Sequence, residues 1–253
     1  FNIDDYATYI ISPYDNDGVL DVGGTVTIED NSFLLMSGWG SGIGTLNVAG
    51  DFFQTGGTIQ IRATATGHGN IVFDGSVAQT YFSGGSLAGM INFTVESGSF
   101  LQMGSGAAPS TISDGSTGTF TLEEGATLGI TSPQGISLSG TTGNIQLTGT
   151  RTFSPSAYYR YNGSAAQTTG DGLPLTIRNL TFENSGGVVA FSSAHTITDI
   201  FTITTGSRAN LGTFTHWTGS LSLGGVTQSV GSYGHSTSTA TYPNDTYFDA
   251  AAG

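Results

Sequence analysis

The chain of 253 residues contains no cysteine and no lysine, and its only basic residues are five arginines. The absence of cysteine excludes disulfide bonds, thiolate metal ligands and cysteine nucleophiles. The net charge of −13 opposes binding to the phosphates of nucleic acids and to anionic membrane surfaces. No apolar run is long enough to span a bilayer. The composition therefore predicts neither a nucleic-acid partner nor insertion into a membrane.

Charged residues are also scarce, at 9% of the chain, and no window shows a sustained helical period with capping residues. Solvation must then come mainly from Ser, Thr, Asn and Gln, which suit strand faces and turns. Hydrophobic residues make up 37% of the chain, which is enough to fill a core. Strict alternation of polar and apolar residues, as at 45–48 and 144–147, indicates strands with one buried face. We expect an all-β protein with negligible helix.

Five stretches share a local pattern of strand, polar turn and second apolar run. They are residues 25–36, 92–103, 119–130, 179–191 and, more loosely, 200–211. Four of them place a glutamate after the first strand, at Glu29, Glu96, Glu123 and Glu183. Recurrence of strand and turn with no helix between is typical of a chain that stacks on itself. Because stacked like charges repel, we expect these glutamates at corners or on separated turns.

A longer duplication supports stacking. The octapeptide at 73–80 resembles the one at 161–168, 88 residues later, and a Thr/apolar/Glu segment follows each copy at an offset of 87. This interval would be about four turns of roughly 22 residues each, within the range of solenoid repeats. We therefore expect a single-stranded parallel β-helix, or β-solenoid, of about eleven such turns. Strand twist and crossover sterics favour a right-handed coil.

The chain divides into three expected segments. Residues 1–18 lack the recurring Gly and Thr and are expected to form a leading strand or cap. Residues 19–224 are expected to form the β-helix, and residues 225–253 its closing turn and tail. The ends of a solenoid present unpaired strand edges, so we expect self-association through these ends unless they are capped.

Three motifs carry a resemblance to a known family. They are GTLNVAGDF at 44–52, FDGSVAQT at 73–80 and NLTFENSGGV at 179–188. They resemble the β-helical repeats of very large secreted surface and adhesin proteins of the Bacteroidetes and their relatives. The closing stretch 221–248 is similar to the ends of such repeat blocks and of some autotransporter passengers. The resemblance implies an extracellular or cell-surface stalk, adhesin or fibre, and it supplies no catalytic residue.

Asp15, Asp17 and Asp21 are the best metal candidates. Alternating carboxylates before Gly18 can place oxygen ligands around Ca²⁺, which is the only cofactor that the sequence suggests. The terminal glutamate of the twelve-residue calcium loop is missing, so an acidic turn before a strand is the simpler interpretation. The four histidines suggest no ligand pair, and each is expected at a surface or corner position.

Tyr158 and Arg160 are the best candidates for contact with a glycan. Aromatic rings stack on sugar faces, and a guanidinium adds hydrogen bonds. The alternative is an aromatic turn that is partly buried in the column, with Tyr159 and Tyr161 on one face.

The sequence thus predicts a non-catalytic structural or adhesive segment of an extracellular bacterial surface protein. Assembly end to end into a fibre is expected, with a glycan or another surface molecule as a further partner. Two alternatives stay open: a polysaccharide lyase or hydrolase, and a glycan- or calcium-binding module. An enzyme would need paired acids, or a basic residue beside metal-binding acids. Five scattered arginines supply a site for an acidic polysaccharide poorly.

Overall fold

The computed structural model describes residues 1–113 and 118–250, and these residues form strands and turns but no helix. The expected all-β class is confirmed. Strands are short because glycine or polar corners interrupt them every few residues. In chain order they are β1 (Asn2–Ile3), β2 (Thr8–Ser12), β3 (Gly18–Val22), β4 (Val26–Ile28), β5 (Phe33–Ser37), β6 (Gly44–Val48), β7 (Phe52–Gln54), β8 (Thr58–Ile61), β9 (Gly69–Phe73), β10 (Ala78–Ser83), β11 (Ser86–Ala88), β12 (Ile91–Val95), β13 (Phe100–Met103), β14 (Phe120–Leu122), β15 (Thr127–Ile130), β16 (Arg151–Phe153), β17 (Tyr158–Tyr161), β18 (Gln167–Thr168), β19 (Thr176–Phe182), β20 (Val188–Ala190), β21 (Thr196–Ile203), β22 (Arg208–Asn210), β23 (Trp217–Leu223), β24 (Val226–Thr227), β25 (Tyr233–Gly234), β26 (Tyr242–Pro243) and β27 (Phe248–Asp249).

The strands stack into parallel sheets, as a β-solenoid requires. Sheet I has the order β1-β4-β7-β10-β13-β15-β17-β19-β21-β23-β24, and sheet II has the order β3-β6-β9-β12-β14-β16. Sheet III is β2-β5-β8-β11, sheet IV is β18-β20-β22-β27, and β25 pairs with β26 alone. The β-solenoid is confirmed, with about nine turns that lie roughly 25 residues apart.

The turns are therefore longer than the expected 22 residues. Along sheet I the spacing is longest where Leu128 pairs with Tyr159, and shortest where Phe201 pairs with Leu221. A segment without strands, residues 131–150, accounts for the longest turn. The short turns at the C-terminal end are close to the expected length.

The interval between the two octapeptides does not give the turn length. Each copy forms a corner, and the two corners lie at different places on the cross-section. The first copy joins β9 of sheet II to β10 of sheet I, whereas the second joins β17 of sheet I to β18 of sheet IV. The interval between the copies is therefore not a whole number of turns.

The glutamines of the two copies make three equivalent hydrogen bonds. In the first, Gln79 Nε2 donates to the carbonyls of Val48 (2.6 Å) and Gly50 (2.7 Å) on the preceding turn, and its Oε1 accepts from the Gly75 N–H at 2.9 Å. In the second, Gln167 Nε2 donates to the carbonyls of Ile130 and Ser132, both at 3.0 Å. Its Oε1 accepts from the N–H of the equivalent glycine at 2.9 Å. Each glutamine thus ties a corner to the turn before it.

The core is a continuous column of inward-facing side chains. In β6, Leu46 and Val48 point inward and are fully buried. The alternate residues Thr45 and Asn47 face outward and are half-buried. Farther along, Phe52 stacks on Tyr81 with ring centroids 5.5 Å apart. Burial of such side chains contributes about 1.5–3 kcal/mol each, so the column supplies the main stabilisation.

Two of the recurrent glutamates, Glu96 and Glu123, follow paired strands on consecutive turns of sheet II. Both are exposed at a corner, as expected, and the Glu123 carboxylate accepts a hydrogen bond from the Ser97 N–H at 3.2 Å. Glu29 and Glu183 follow strands of sheet I that lie many turns apart. Exposure to solvent screens the repulsion between the two neighbouring carboxylates.

The two ends of the solenoid differ. At the N-terminal end, β1, β2 and β3 form the first turn, and each is the edge strand of its sheet. The segment 1–18 thus contributes β1 and β2 to this turn. At the C-terminal end, β24 folds back antiparallel on β23, and β27 returns to pair with β22. The last full turn is therefore partly covered by its own chain.

Across the described residues, we find no helix with the length and hydropathy of a membrane span.

Candidate functional site

The two glycan candidates lie on the outer face of sheet I. In β17, Tyr158 and Arg160 point outward, while Tyr159 and Tyr161 point into the column and are buried. The hydroxyl of Tyr159 donates to the Ser154 carbonyl, and that of Tyr161 to the Thr169 carbonyl, each at 2.6 Å. Burial raises the pKa of both phenols well above the usual range. Because side chains alternate along β17, the outer face carries the two glycan candidates and the inner face carries the buried tyrosines.

A cleft of about 360 Å³ opens around the two outward side chains. Its other lining residues come from the neighbouring turns on both sides, which parallel stacking places in one column. They are Phe100, Thr127, Asn179, Thr181, Glu183 and Thr204, while Tyr159 of β17 itself completes the lining. The lining therefore spans five successive turns of sheet I.

Arg160 is held across the cleft by two contacts. Its guanidinium forms an ion pair with Glu183 on the next turn at 2.7 Å, and its Cζ lies 5.1 Å from the centroid of the Phe100 ring. Gly129 is the residue of β15 that pairs with both Gln102 and Arg160. A Cβ at this position would lie 2.1 Å from Gln102 Oε1. The missing side chain therefore leaves room for the Gln102 amide and the Phe100 ring, and Arg160 reaches that ring from the next turn.

Several polar groups of the cleft have no partner within the part of the chain that the structure describes. Asn179 is only 7% exposed, yet its side-chain amide makes no hydrogen bond to any described residue. The hydroxyls of Tyr158, Thr127 and Thr181 are likewise without partners among the described residues. The cleft thus offers free donors and acceptors beside aromatic surface.

The sequence analysis missed Phe100, Asn179 and Glu183 as neighbours of Arg160. Tyr158 pairs with Asn179, and Thr127 pairs with both Phe100 and Tyr158. These pairings depend on turn lengths that differ from one turn to the next. The sequence therefore does not predict which residues are neighbours until the strand register is known.

The predicted calcium ligands each bind the next turn. Asp15 accepts from the Ser41 N–H at 2.9 Å, Asp17 accepts from the Ile43 N–H at 2.8 Å, and Asp21 accepts from Asn47 Nδ2 at 2.6 Å. No group of three or more acidic, His or Cys side chains among the described residues is arranged to hold a metal. Calcium binding stays a prediction of the sequence, to which this geometry adds no ligand cluster.

Two histidines differ from their expected surface or corner positions. His195 is only 2% exposed, and its ring lies parallel to that of His216 with centroids 6.1 Å apart. The backbone N–H of His195 donates to His216 Nδ1 at 3.2 Å. Nδ1 therefore accepts, and the ring proton of His216 lies on Nε2, which donates to the Leu211 carbonyl. Burial lowers the pKa of both imidazoles. They lie on consecutive turns, a relation that sequence spacing alone did not reveal.

A second aromatic feature lies on the outside of the first turns. The Tyr14 ring stacks on Trp39 with centroids 5.8 Å apart, and the Arg62 guanidinium lies 4.1 Å from the centroid of the Trp39 ring. Both aromatic side chains are exposed. The contacts join three successive turns on the surface.

Comparison of the whole chain with family models, with curated proteins and with solved structures finds no significant match. The resemblance to surface adhesin repeats therefore stays an expectation from the motifs, and the fold and the geometry of the cleft carry the functional argument.

Proposed function

We propose that this chain is a structural and adhesive β-solenoid segment of an extracellular or cell-surface protein. The observation that best supports this proposal is the uninterrupted stack of sheet I, in which eleven strands lie side by side over one buried column. In such a stack each turn is held by the turns on both sides, so the molecule keeps a fixed elongated shape. The motifs shared with surface adhesins support a location outside the cell.

We also propose that the segment works without catalysis. Among the residues that line the cleft on sheet I, Glu183 supplies the one carboxylate, and it is paired with Arg160. Glycoside hydrolysis needs a second carboxyl group on the other side of the scissile bond. The cleft is better suited to holding a ligand than to cleaving one.

The N-terminal turn is the proposed joining surface. The strands β2 and β3 each present an open edge of five residues, and exposed strand edges pair readily with other chains. Phe1, Tyr9 and Val19 add exposed apolar surface to the same turn. In the isolated chain, a second copy supplies the partner strands.

The joining surface is acidic, which sets its dependence on salt. The first turn carries five aspartates and no arginine; they are Asp4, Asp5, Asp15, Asp17 and Asp21. Two such turns repel each other until ions screen the charge. We therefore expect association to strengthen with salt or with Ca²⁺.

The difference between the ends favours pairs of molecules over long fibres. The C-terminal turn is partly covered by β24 and β27, so the N-terminal turn has more open edge to offer. Association through one self-complementary surface closes as a two-fold dimer. The expected fibre is thus replaced, in this proposal, by two rods joined at their N-terminal turns.

Electron microscopy of the purified chain over a range of salt and Ca²⁺ concentrations tests this proposal. We expect single rods at low salt and rods of doubled length at high salt or with Ca²⁺. Single rods under every condition would overturn the proposed joining, and compact round particles would overturn the structural role itself.

A further inference from the structure

We infer that the cleft around Tyr158 and Arg160 is a binding site for a neutral oligosaccharide. The inference goes beyond the proposed structural role and is independent of the joining surface. The cleft lies on the flank of sheet I, on turns well removed from β1, so joining at the N-terminal turn leaves it open.

Asn179 points most directly to a ligand. The residue is 7% exposed and lines the cleft, but its amide has no hydrogen-bond partner among the described residues. The amide is not one of the fully buried atoms that lack a partner, so it is accessible from the cleft. An amide both donates and accepts, so it can bind two neighbouring hydroxyls of one sugar ring. Such a ligand would supply the missing partners.

The surrounding groups fit the same chemistry. The hydroxyls of Thr127 and Thr181 have no partner in the described structure and lie on either side of the Tyr158 turn. The half-buried ring of Tyr158 presents an apolar face and a free hydroxyl. Sugar rings also have apolar faces and polar edges, and an aromatic side chain combines both properties in the same way. The cleft therefore matches a polyhydroxylated ring better than a purely apolar ligand.

Charge selects a neutral ligand. The Arg160 cation is balanced by Glu183 at 2.7 Å, so the cleft has no uncompensated cation for a carboxylate or sulfate. The whole molecule has a net charge of −13, which repels anions. A sugar acid is therefore expected to bind more weakly than an uncharged sugar.

The shape selects an extended ligand. The lining residues come from five successive turns of sheet I, which at the usual strand separation span roughly 20 Å. The volume of about 360 Å³ is near the lower end of the usual range for small-molecule sites. A short, linear chain of sugar rings along the solenoid axis fits these dimensions.

The test uses the full chain on an array of neutral and acidic oligosaccharides that includes cellohexaose, maltohexaose and hexagalacturonate. Isothermal titration calorimetry then measures the affinity of the strongest neutral binder. We expect a neutral oligosaccharide to bind, and Asn179→Ala or Tyr158→Ala to weaken it at least tenfold. Asn179→Ala should leave the melting temperature unchanged, because no described residue bonds to the side-chain amide. Asn70→Ala on sheet II is the matched control and should retain the wild-type affinity.

Failure to detect any neutral binder at millimolar concentration would overturn the inference, as would a preference for hexagalacturonate. Equal affinity of wild type and Asn179→Ala would show that the sugar binds outside this cleft, and would also overturn the inference. A variant that cannot join through its N-terminal turn should still bind the sugar, so the two proposals fail separately.

Discussion

At the scale of single residues, buried glutamines give the duplicated octapeptide its structural meaning. Gln79 and Gln167 are both fully or almost fully buried, and each ties its corner to carbonyls of the preceding turn. The second glutamine also accepts from Asn184 Nδ2 at 2.8 Å on the following turn. The motif therefore ties its corner to the preceding turn in both copies, and in the second copy also to the following turn.

Replacement of Gln167 by alanine should destabilise the protein strongly. It leaves two carbonyls, a backbone N–H and the Asn184 amide without this partner in a buried corner. We expect the free energy of unfolding in urea to fall by about 3 kcal/mol. Gln228→Ala is the control, since the half-buried Gln228 side chain bonds, among the described residues, only to the nearby Val226 carbonyl. Equal effects of both substitutions would contradict the corner role.

The stacked histidines should make stability depend on pH. Burial lowers the pKa of His195 and His216 below 6.5 in the folded state, so the unfolded chain binds more protons as the pH falls through that value. Stability is thus fully present above about pH 6.5 and declines below it. We expect the melting temperature to drop between pH 7 and pH 5.

His216→Phe removes one of these titrating rings while keeping a ring beside Phe191, whose centroid lies 4.0 Å from that of His216. The drop in melting temperature should become smaller in this variant. His68→Phe, which lies outside the cluster, should leave the slope unchanged. An identical pH profile for His216→Phe and wild type would exclude the pair as its origin.

Some residues could be placed from sequence and others could not. Alternation in the run 158–161 was enough to separate outward Tyr158 and Arg160 from inward Tyr159 and Tyr161. Asn179 and Glu183 could not be assigned to the same cleft, because that needs the register of the following turn. Burial of His195 depends in the same way on the neighbouring turn.

At the scale of structural elements, Arg151 holds the long segment without strands. Its Nε donates to the Leu147 carbonyl at 2.8 Å, and its terminal nitrogens donate to the carbonyls of Ser137 (3.0 Å) and Gly140 (2.5 Å). The residue is only 5% exposed. A planar guanidinium suits this role because its fixed donors point in several directions.

Arg151→Ala should loosen this segment. Three carbonyls lose a charged donor, so we expect the free energy of unfolding to fall by about 2–3 kcal/mol. Hydrogen exchange across 131–150 should rise before exchange in sheet I. Arg178→Ala is the control: its ion pair with Asp199 is exposed and 3.8 Å long, so removal should cost less than about 1 kcal/mol. Exchange that rises evenly along the chain would contradict a local role for Arg151.

The strands themselves were largely predictable, whereas the turn lengths were not. Alternating segments such as 45–48 and 58–61 fall within β6 and β8, because one buried face requires this pattern. The alternating segment 144–147 is not a strand, although its apolar Ile145 and Leu147 are buried. The segment 131–150 that contains it is held by Arg151 and not by strand pairing, and local alternation does not reveal this difference.

At the scale of the whole molecule, the two ends decide how copies meet. In β3, the Gly18 N–H and the Val22 carbonyl bond toward β6, so alternation directs the N–H of Val19 away from the stack. Val19→Pro should therefore keep the folded monomer and block pairing at this edge. Leu20→Pro, the matched control, removes a donor that faces β6 and should lower the melting temperature instead.

Sedimentation velocity of wild type and Val19→Pro, with Ca²⁺ or high salt and rising protein concentration, tests the joining of N-terminal turns most directly. The wild-type chain should shift from its mass of 25.9 kDa to twice that mass, while Val19→Pro stays a monomer with an unchanged melting temperature. A wild-type chain that remains monomeric throughout, or a variant that dimerises equally well, would contradict the account.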